Sequence, residues 1–379
     1  MTTGSNANGV RRYNERLMLS IIRRQNGASK AELARATGLS PQAAVRIVED
    51  LEATGLLVQA GKRKGGMGQP STIYQINGDN GFTIGVEIGR TRVVCALLNF
   101  NGDVLATQSC GVHFPDPAMV IGEVQSFSAR ALAMLTAEQR RSFVGTGIAM
   151  PWFIGEWRDE IGLTQEQAMS WSSPDLEEIF RSQLQTSVMF ENDGNSGALA
   201  EMLCGAGVGI GSFLYIHIGT FVGGGLVLRG QLEEGRNGNA AALASMPIPK
   251  QAGRGQEFLL HRASLYQFET PEAALIVEGI SEEWLNDCAE ALAFVMLSTN
   301  SLLDLDAIII GGALTPPELA DLIQKTAGCM DSDSPPDFFK PRILPGTIGA
   351  NAPAIGAGLL PLHATYSPNL KSLLKNRKV

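Results

Sequence analysis

The sequence predicts an α/β body of two similar lobes preceded by a winged helix-turn-helix domain. Residues 1–80 have the caps and turns of a three-helix unit followed by a hairpin, whereas apolar strands alternate with helical stretches from Gly81 onward. A strand, a glycine-containing turn and a second strand occur twice, over residues 83–98 and 212–228, as expected for two related lobes. A chain of 379 residues is also too long for one compact core.

The charge pattern changes at the same boundary. Residues 1–80 contain 11 Lys and Arg against 6 Asp and Glu, although the formal net charge of the whole chain is −8. Residues 1–80, the head, are therefore basic, and the rest of the chain, the body, is acidic. This pattern indicates that only the head binds a polyanion. No apolar signal segment opens the chain, polar residues interrupt the apolar stretch 291–310, and none of the five cysteines lies in a CxxC pair. We therefore expect a cytoplasmic protein with reduced thiols and no membrane partner.

The head begins with an amphipathic helix over residues 12–25. The sequence SKAE, starting at Ser29, is a capping-box pattern that opens a short second helix, which Gly38 ends. Ser40 then caps a third helix that has Pro41 at its first position. Two strands around a glycine-rich basic tip follow, as in the wing of a winged helix domain.

The third helix and the wing carry the candidate DNA contacts. The recognition helix presents polar side chains to base edges in the major groove, and the basic wing holds phosphates. The candidate residues are Ser40, Gln42, Ala43, Arg46, Lys62, Arg63 and Lys64. A protein-interaction module with a solvated basic loop would have a similar pattern, but the caps, the wing and the charge together favour double-stranded DNA.

Three glycine-containing turns of the body are candidates for holding the phosphates of a nucleotide. They are the turns within EIGRT, GTFVGGG and AIIIGGAL, where glycine would let backbone N–H groups approach an anion closely. The candidate positions are Glu87, Gly89, Arg90, Thr91, Gly219, Thr220, Gly223, Gly311 and Gly312. Any one of these turns alone would also fit an ordinary hairpin.

A carboxylate-rich strand end supplies the candidate ligand site. An apolar strand ends in Glu191, Asn192 and Asp193, and a helix of small residues follows. A carboxylate beside a cleft can accept the proton of a sugar hydroxyl during phosphoryl transfer, so Asp193 is the candidate base if the body is a kinase. Asp193 would alternatively cap the following helix.

The segments ENDGNSGALAE, GTFVGGG and IGANAPAIGAGLL resemble the ROK family, which groups bacterial sugar kinases with sugar-responsive repressors of the NagC, Mlc and XylR kind. The resemblance covers residues 82 to about 365 and implies an actin/hexokinase-like two-lobed fold. It suggests a DNA-binding domain over 1–80, a first lobe over 81–193 joined by a C-terminal helix at 360–379, and a second lobe over 194–359. The resemblance also places Gln167 and Trp171 at the rim of the cleft as further ligand candidates, and an indole face suits a sugar ring.

Departures from the family pattern predict that the body has lost its kinase chemistry. Family kinases have D-x-G-G-T-K at the first turn, where this chain has Glu87 and Arg90 in place of the acid and a glycine. Arg90 would strain a left-handed turn, and Phe221 replaces a glycine of the second turn. Ala242 and Ser245 replace the Glu and His of the family's sugar and zinc site, and the cysteine segment that should follow reads PKQAGRGQEF. We therefore expect neither zinc nor ATP with Mg²⁺ as a cofactor.

The sequence predicts a DNA-binding transcriptional repressor of carbohydrate-related genes that senses a sugar or a sugar derivative through a degenerate, kinase-inactive body. We expect a homodimer or homotetramer on a palindromic operator, because one short helix reads few base pairs. Two alternatives stay open. The chain could be a sugar kinase that phosphorylates a hexose-like substrate with ATP, or a DNA-binding protein that has no ligand.

Overall fold

A computed structural model of the chain describes residues 7–63, 70–112, 115–152, 164–250, 255–268 and 279–368. In these ranges the chain forms a winged helix domain and two α/β lobes, each built on a five-stranded sheet. The predicted fold class is therefore confirmed. No helix within the described ranges is long and apolar enough to cross a membrane.

The winged helix domain has three helices and a small antiparallel sheet with the order β1-β3-β2. Its elements are α1 (Ala7–Arg24), β1 (Ala28–Ser29), α2 (Lys30–Thr37), α3 (Pro41–Ala53), β2 (Leu57–Arg63) and β3 (Ser71–Ile76). Both predicted N-caps are present, since Ser29 and Glu32 form a capping box and Ser40 Oγ accepts the N–H of Ala43. The first helix starts earlier than predicted, and β2 includes Lys62 and Arg63, whereas Lys64 lies outside the described residues.

The first lobe surrounds a sheet with the order β6-β5-β4-β7-β8. Its elements are β4 (Phe82–Ile88), β5 (Arg92–Asn99), β6 (Val104–Gly111), α4 (Pro117–Ala133), α5 (Ala137–Arg141), β7 (Phe143–Met150), α6 (Gln165–Trp171), α7 (Leu176–Leu184) and β8 (Val188–Asn192). The first three strands form an antiparallel meander, and β7 and β8 add to β4 in parallel.

The second lobe repeats this arrangement with the order β11-β10-β9-β14-β15. Its elements are α8 (Asp193–Cys204), β9 (Phe213–Ile218), β10 (Gly223–Leu228), β11 (Gln231–Glu233), β12 (Pro247–Pro249), β13 (Gln256–Phe258), α9 (Leu260–Ala263), α10 (Glu282–Leu303), β14 (Ala307–Gly312), α11 (Pro316–Asp333), β15 (Arg342–Pro345) and α12 (Ala352–Tyr366). Strands β9, β10 and β11 form an antiparallel meander, as in the first lobe. Strand β14 pairs in parallel with β9, and β15 pairs in parallel with β14. The internal repeat predicted from the two glycine turns is thus a repeat of sheet topology.

The last described helix, α12, joins the two lobes. It packs on β4 and β7 of the first lobe and on α8 of the second lobe. The contact with α8 is so close that a Cβ on Gly356 would overlap the backbone oxygen of Ser196. The helix begins at Ala352, eight residues before the predicted start at 360, and Pro361 lies inside it.

The winged helix domain and the body share one apolar core. Met18 and Ile22 of α1 belong to the same buried cluster as Phe100 of the first lobe and Leu359 of α12. Arg23 donates to the backbone oxygens of Phe100 at 2.8 Å and of Asn101 at 3.0 Å. Its guanidinium lies 5.5 Å from the centre of the Phe100 ring, and burial lowers the pKa of Arg23. The head is therefore held against the body by packing as well as by its linker.

Candidate functional site: a recognition helix and an interlobe cleft

The third helix presents its polar face to solvent, as a recognition helix must. The buried side of α3 consists of Ala44, Ile47, Val48 and Leu51. Gln42 and Arg46 are exposed, and Ala43 is half-buried. Since base edges can be read only by side chains that project from the fold, the predicted contacts lie on the face that can enter a major groove.

Several basic side chains of the head already have acidic partners. Arg63 of β2 pairs with Glu32 of α2 at 3.1 Å, and Lys30 pairs with Glu49 at 2.8 Å. Lys62, also predicted as a wing contact, is exposed at the end of β2. To bind a phosphate, Arg63 has to break its ion pair with Glu32 or contact both groups at once. The free energy lost is small because the pair is exposed to solvent.

The two lobes enclose a cleft with a volume of about 150 Å³. The cleft brings together six of the predicted body residues, namely Gly89, Arg90, Trp171, Asn192, Asp193 and Gly223. The other predicted body residues are absent from its lining. The cleft also contains positions that were not predicted as site residues, among them Ile88, Pro151, Phe221, Leu243 and Leu260.

Asn192 and Asp193 cap the helix that points at the cleft. Asn192 Oδ1 accepts the N–H groups of Gly194 and Asn195 at 3.0 and 3.4 Å, and Asp193 Oδ1 accepts the N–H of Gly194 at 2.8 Å. Burial raises the pKa of Asp193. The bonds at the start of α8 and the position in the cleft therefore coexist in both residues.

Glu191 and Gln167, predicted as ligand contacts, serve the local structure instead. Glu191 Oε1 accepts the backbone N–H of Asn192 at 2.7 Å and the side-chain amide of Asn195 at 3.1 Å. Gln167 Oε1 accepts the N–H of Thr164 in the capping box of α6. Neither side chain lines the cleft, because each is used at a helix or strand end.

The first candidate phosphate turn is held together by its own side chains. Glu87 is buried and pairs with Arg92 at 3.4 Å, and burial raises the pKa of the Glu87 carboxyl. The N–H of Gly89 donates to Arg92 O at 2.9 Å, and Thr91 O accepts the N–H of Val112 at 2.8 Å. The carboxylate that resembles the Mg²⁺-facing acid of the kinases thus faces a guanidinium of its own chain.

The backbone strain expected at Arg90 does not occur. The described residues with left-handed backbone include five non-glycine positions, and Arg90 is not among them. A loop conformation with negative φ accepts any side chain. The obstruction at this turn comes from the bulk of Arg90, which lines the cleft.

The second candidate turn is fixed by hydrogen bonds to a neighbouring segment. Gly219 O accepts the N–H of Leu265 at 2.9 Å, and Thr220 O accepts the N–H of Tyr266 at 3.0 Å. The N–H of Val222 donates to Ser264 Oγ at 2.9 Å. The backbone N–H of Val222 is therefore already used inside the protein, and Phe221 lines the cleft.

The third candidate turn has a packing explanation. Gly312 has a φ of +126°, and a Cβ there would overlap the backbone oxygen of Ile218 on the adjacent strand. A Cβ on Gly311 would lie 3.3 Å from the Tyr215 ring. These glycines let β14 lie close to its neighbours, and neither lines the cleft.

The segment that resembles the family's zinc region contributes an apolar wall. Ala242 and Ser245 line the cleft, while residues 251–254 lie outside the described ranges. Within those ranges no group of three or more His, Cys, Asp and Glu side chains is placed to hold a metal ion. His261 lies beside Phe258, with ring centres 6.5 Å apart.

A buried histidine behind the second turn was not singled out in the sequence. His217 of β9 is buried, and its Nδ1 lies 2.9 Å from the hydroxyl of Tyr215. Burial lowers the pKa of His217 to about 3, and the charge of Arg92 acts in the same direction. The available signal was a polar residue inside the apolar run SFLYIHI.

The described residues form a winged helix domain packed on a two-lobed α/β body. Residues 83–256 match the ROK family, and residues 13–65 match the MarR family. The resemblance to the ROK family carried by the motifs is therefore confirmed over residues 83–256, and the predicted winged helix domain over residues 13–65.

Two relatives and one solved structure extend over nearly the whole chain. An uncharacterised protein of Sinorhizobium fredii, y4fQ, is 27% identical over 93% of this chain and 91% of its own length. The xylose repressor of Bacillus subtilis is 22% identical over 92% of this chain and 94% of its own. A crystal structure of a ROK family transcriptional regulator, a homologue of the E. coli MLC protein, has a TM-score of 0.68 at 20% identity and covers 96% of this chain and 99% of that chain.

Proposed function

We propose that the protein is a DNA-binding transcriptional repressor of carbohydrate-related genes whose interlobe cleft binds a sugar-derived small molecule. The observation that carries the proposal is the exposed polar face of α3 on a head whose core is continuous with the two-lobed body. The xylose repressor similarity supports a sugar-derived effector. The proposal places the protein in the cytoplasm as a homodimer or homotetramer on a palindromic operator.

The connection between cleft and head runs through α12. Its middle packs against α8 at Gly356, and its end places Tyr366 with its ring centre 4.7 Å from that of Phe100. Phe100 contacts Arg23 of α1 through its backbone oxygen and through its ring. A ligand that prefers one closure of the lobes moves α8 relative to α12 and so shifts the head, and its differential affinity for the two states sets the size of the response.

We further propose that the body works without kinase activity and without ATP, Mg²⁺ or zinc. The described residues in and around the cleft do not fit ATP with Mg²⁺, since Glu87 is paired with Arg92, the N–H of Val222 is bonded to Ser264, and Phe221 lines the cleft. They do not fit zinc either, since Ala242 has no ligand atom in its side chain. Titration calorimetry with Mg-ATP at up to millimolar concentration should give no binding heat. Micromolar binding would revive the sugar-kinase alternative, with Asp193 as its base.

Arg46→Ala tests the DNA-binding role directly. Loss of a base-contacting arginine should weaken specific binding by about ten- to a hundred-fold, because a bidentate base contact contributes roughly 1–3 kcal/mol of discrimination. Arg229→Ala removes the same charge from an exposed position on the second lobe and serves as the matched control. Fluorescence anisotropy with a captured genomic site measures both. Equal losses in the two variants would contradict the assignment of α3 as the recognition helix.

A further inference from the structure

We infer that the cleft takes an aromatic ring carried on a small polyol, that is, an aryl glycoside, in preference to a free sugar. This inference rests on the proposed sensing role of the cleft and specifies the chemical class of its ligand. It follows from the composition of the cleft walls, the small number of polar groups among them, and the volume between them.

The walls of the cleft are apolar on both lobes. Trp152 and Trp171 come from the first lobe, and Phe221 comes from the second lobe. The remaining apolar positions in the lining are Ile88, Pro115, Pro151, Val222, Ala240, Ala241, Ala242, Leu243, Ala244 and Leu260. Aromatic side chains that face a cleft from opposite sides can hold a flat ring by offset or edge-to-face contact.

Polar side chains are a minority among the described residues that line the cleft. Those in the lining are Arg90, Asn192, Asp193, Asn239 and Ser245. Asn192 Oδ1 already accepts two backbone N–H groups, and one oxygen of Asp193 accepts a third bond. The indole N–H of Trp171 donates to Pro115 O at 2.8 Å, so that residue offers only its ring. Hydroxyl groups buried against such walls without partners weaken binding.

The volume of the cleft suits one ring of the two in an aryl glycoside. A cavity of about 150 Å³ with apolar walls admits a benzene molecule, and the cleft has about this volume and opens between the lobes. The aromatic ring then fills this volume against Phe221 and the indoles, and the polyol extends into the opening with its hydroxyls toward Asp193 and Asn192 at the start of α8.

The second-lobe wall is built rigidly. Phe221 stands on a turn whose backbone bonds to residues 264–266, and its ring centre lies 6.0 Å from that of Tyr266, so the backbone of this wall is fixed. Ala241 of the same wall has a φ of +56°, a left-handed conformation that costs a non-glycine residue about 1–2 kcal/mol. Backbone strain of this kind is concentrated at functional sites. Because the aromatic walls belong to different lobes, a ring between them favours lobe closure.

Calorimetry on the full-length protein tests the inference with matched pairs of ligands. The probes are phenyl and methyl β-glycosides of glucose, galactose, xylose and N-acetylglucosamine. The phenyl member of at least one pair should bind about ten-fold tighter or more than its methyl partner. Binding of methyl glycosides or free sugars as tightly as the phenyl compounds, or no binding by any probe, would overturn the inference.

Two variants locate the preference. Phe221→Gly should reduce the ratio between phenyl and methyl partners to near unity, and Phe221→Leu, which keeps an apolar side chain, should reduce it less. Phe339→Ala removes a phenylalanine that is 76% exposed and lies outside the cleft, so it should leave the ratio unchanged. A preference that survives in Phe221→Gly would contradict the assignment of this wall.

The same preparations separate this inference from the proposed function. Specific DNA binding without a phenyl preference would contradict the aryl glycoside as the ligand and support the proposed regulator function. A phenyl preference that depends on Phe221, in a protein that binds no specific DNA, would support the ligand class and contradict the proposed regulator function.

Discussion

Gly356→Ala places a methyl group in the joint between the lobes. A Cβ at this position would lie more than 1 Å inside the 3.0 Å limit of real Cβ contacts, measured to the backbone oxygen of Ser196. The obstacle is the backbone of α8, which cannot rotate away as a side chain does. The substitution therefore has to push α12 and α8 apart along their whole contact, the most extensive pairing of elements in the described fold.

The cost of Gly356→Ala can be bracketed by a matched glycine. Overpacking a core typically costs about 1–3 kcal/mol, and the rigid backbone obstacle puts this substitution at the upper end. Gly328 also lies in a helix interior, in α11, but a Cβ there would meet nothing within 4 Å. Gly328→Ala should stabilise the protein by about 0.5–1 kcal/mol, because alanine loses less backbone entropy in a helix.

Thermal and urea unfolding, followed by far-ultraviolet circular dichroism, measure both variants against the parent chain. We expect Gly356→Ala to unfold at a lower temperature and a lower urea concentration, and Gly328→Ala at slightly higher values. Equal stabilities of the two alanine variants would refute the close packing of α12 on α8. It would also remove α12 as the connection between the cleft and the head.

Three further predictions concern the head, the buried histidine and the wing. Arg23→Ala should destabilise the protein by about 1–3 kcal/mol in urea unfolding, because the backbone oxygens of Phe100 and Asn101 lose their donor. An unchanged urea midpoint would contradict a stabilising contact between α1 and the first lobe. The pKa of His217 is about 3 in the folded protein, below its unfolded value of 6.5, so its contribution to stability is present above pH 6.5 and is lost as the pH falls. Between pH 7 and pH 5 that loss is about 2 kcal/mol, and His217→Gln should show correspondingly less pH dependence; equal dependence in both proteins would be the contrary result. Lys62→Ala should lower the slope of log affinity against log salt by about one without changing sequence preference, and an unchanged slope would exclude a phosphate contact.

The winged helix domain could be predicted almost completely because its signals are local. Ser29 and Ser40 act as caps within three residues of their partners, and Gly38 ends α2 in the left-handed conformation. The two-lobed body could be predicted because its glycine turns repeat, and the repeat corresponds to identical strand orders in the two sheets. Such features depend on residues near one another in the chain.

The cleft was only partly predictable because its lining depends on long-range packing. Asp193 was identified from its place at a strand end, and the family resemblance placed both Trp171 and Gln167 at the cleft rim. Trp171 lines the cleft, whereas Gln167 is used in the capping box of its own helix. Leu243 and Leu260 line the cleft although nothing local distinguishes them from core leucines. Which leucines line the cleft depends on how the two lobes lie relative to each other, and this cannot be derived from the local sequence.

Specific DNA binding through α3 is tested by capture of genomic DNA fragments with the purified full-length protein at physiological salt, followed by sequencing. We expect enrichment of a few palindromic sites next to carbohydrate-related genes, and loss of that enrichment in Arg46→Ala but not in Arg229→Ala. Sequence-independent, salt-sensitive capture, or the same enriched sites in both variants, would contradict it.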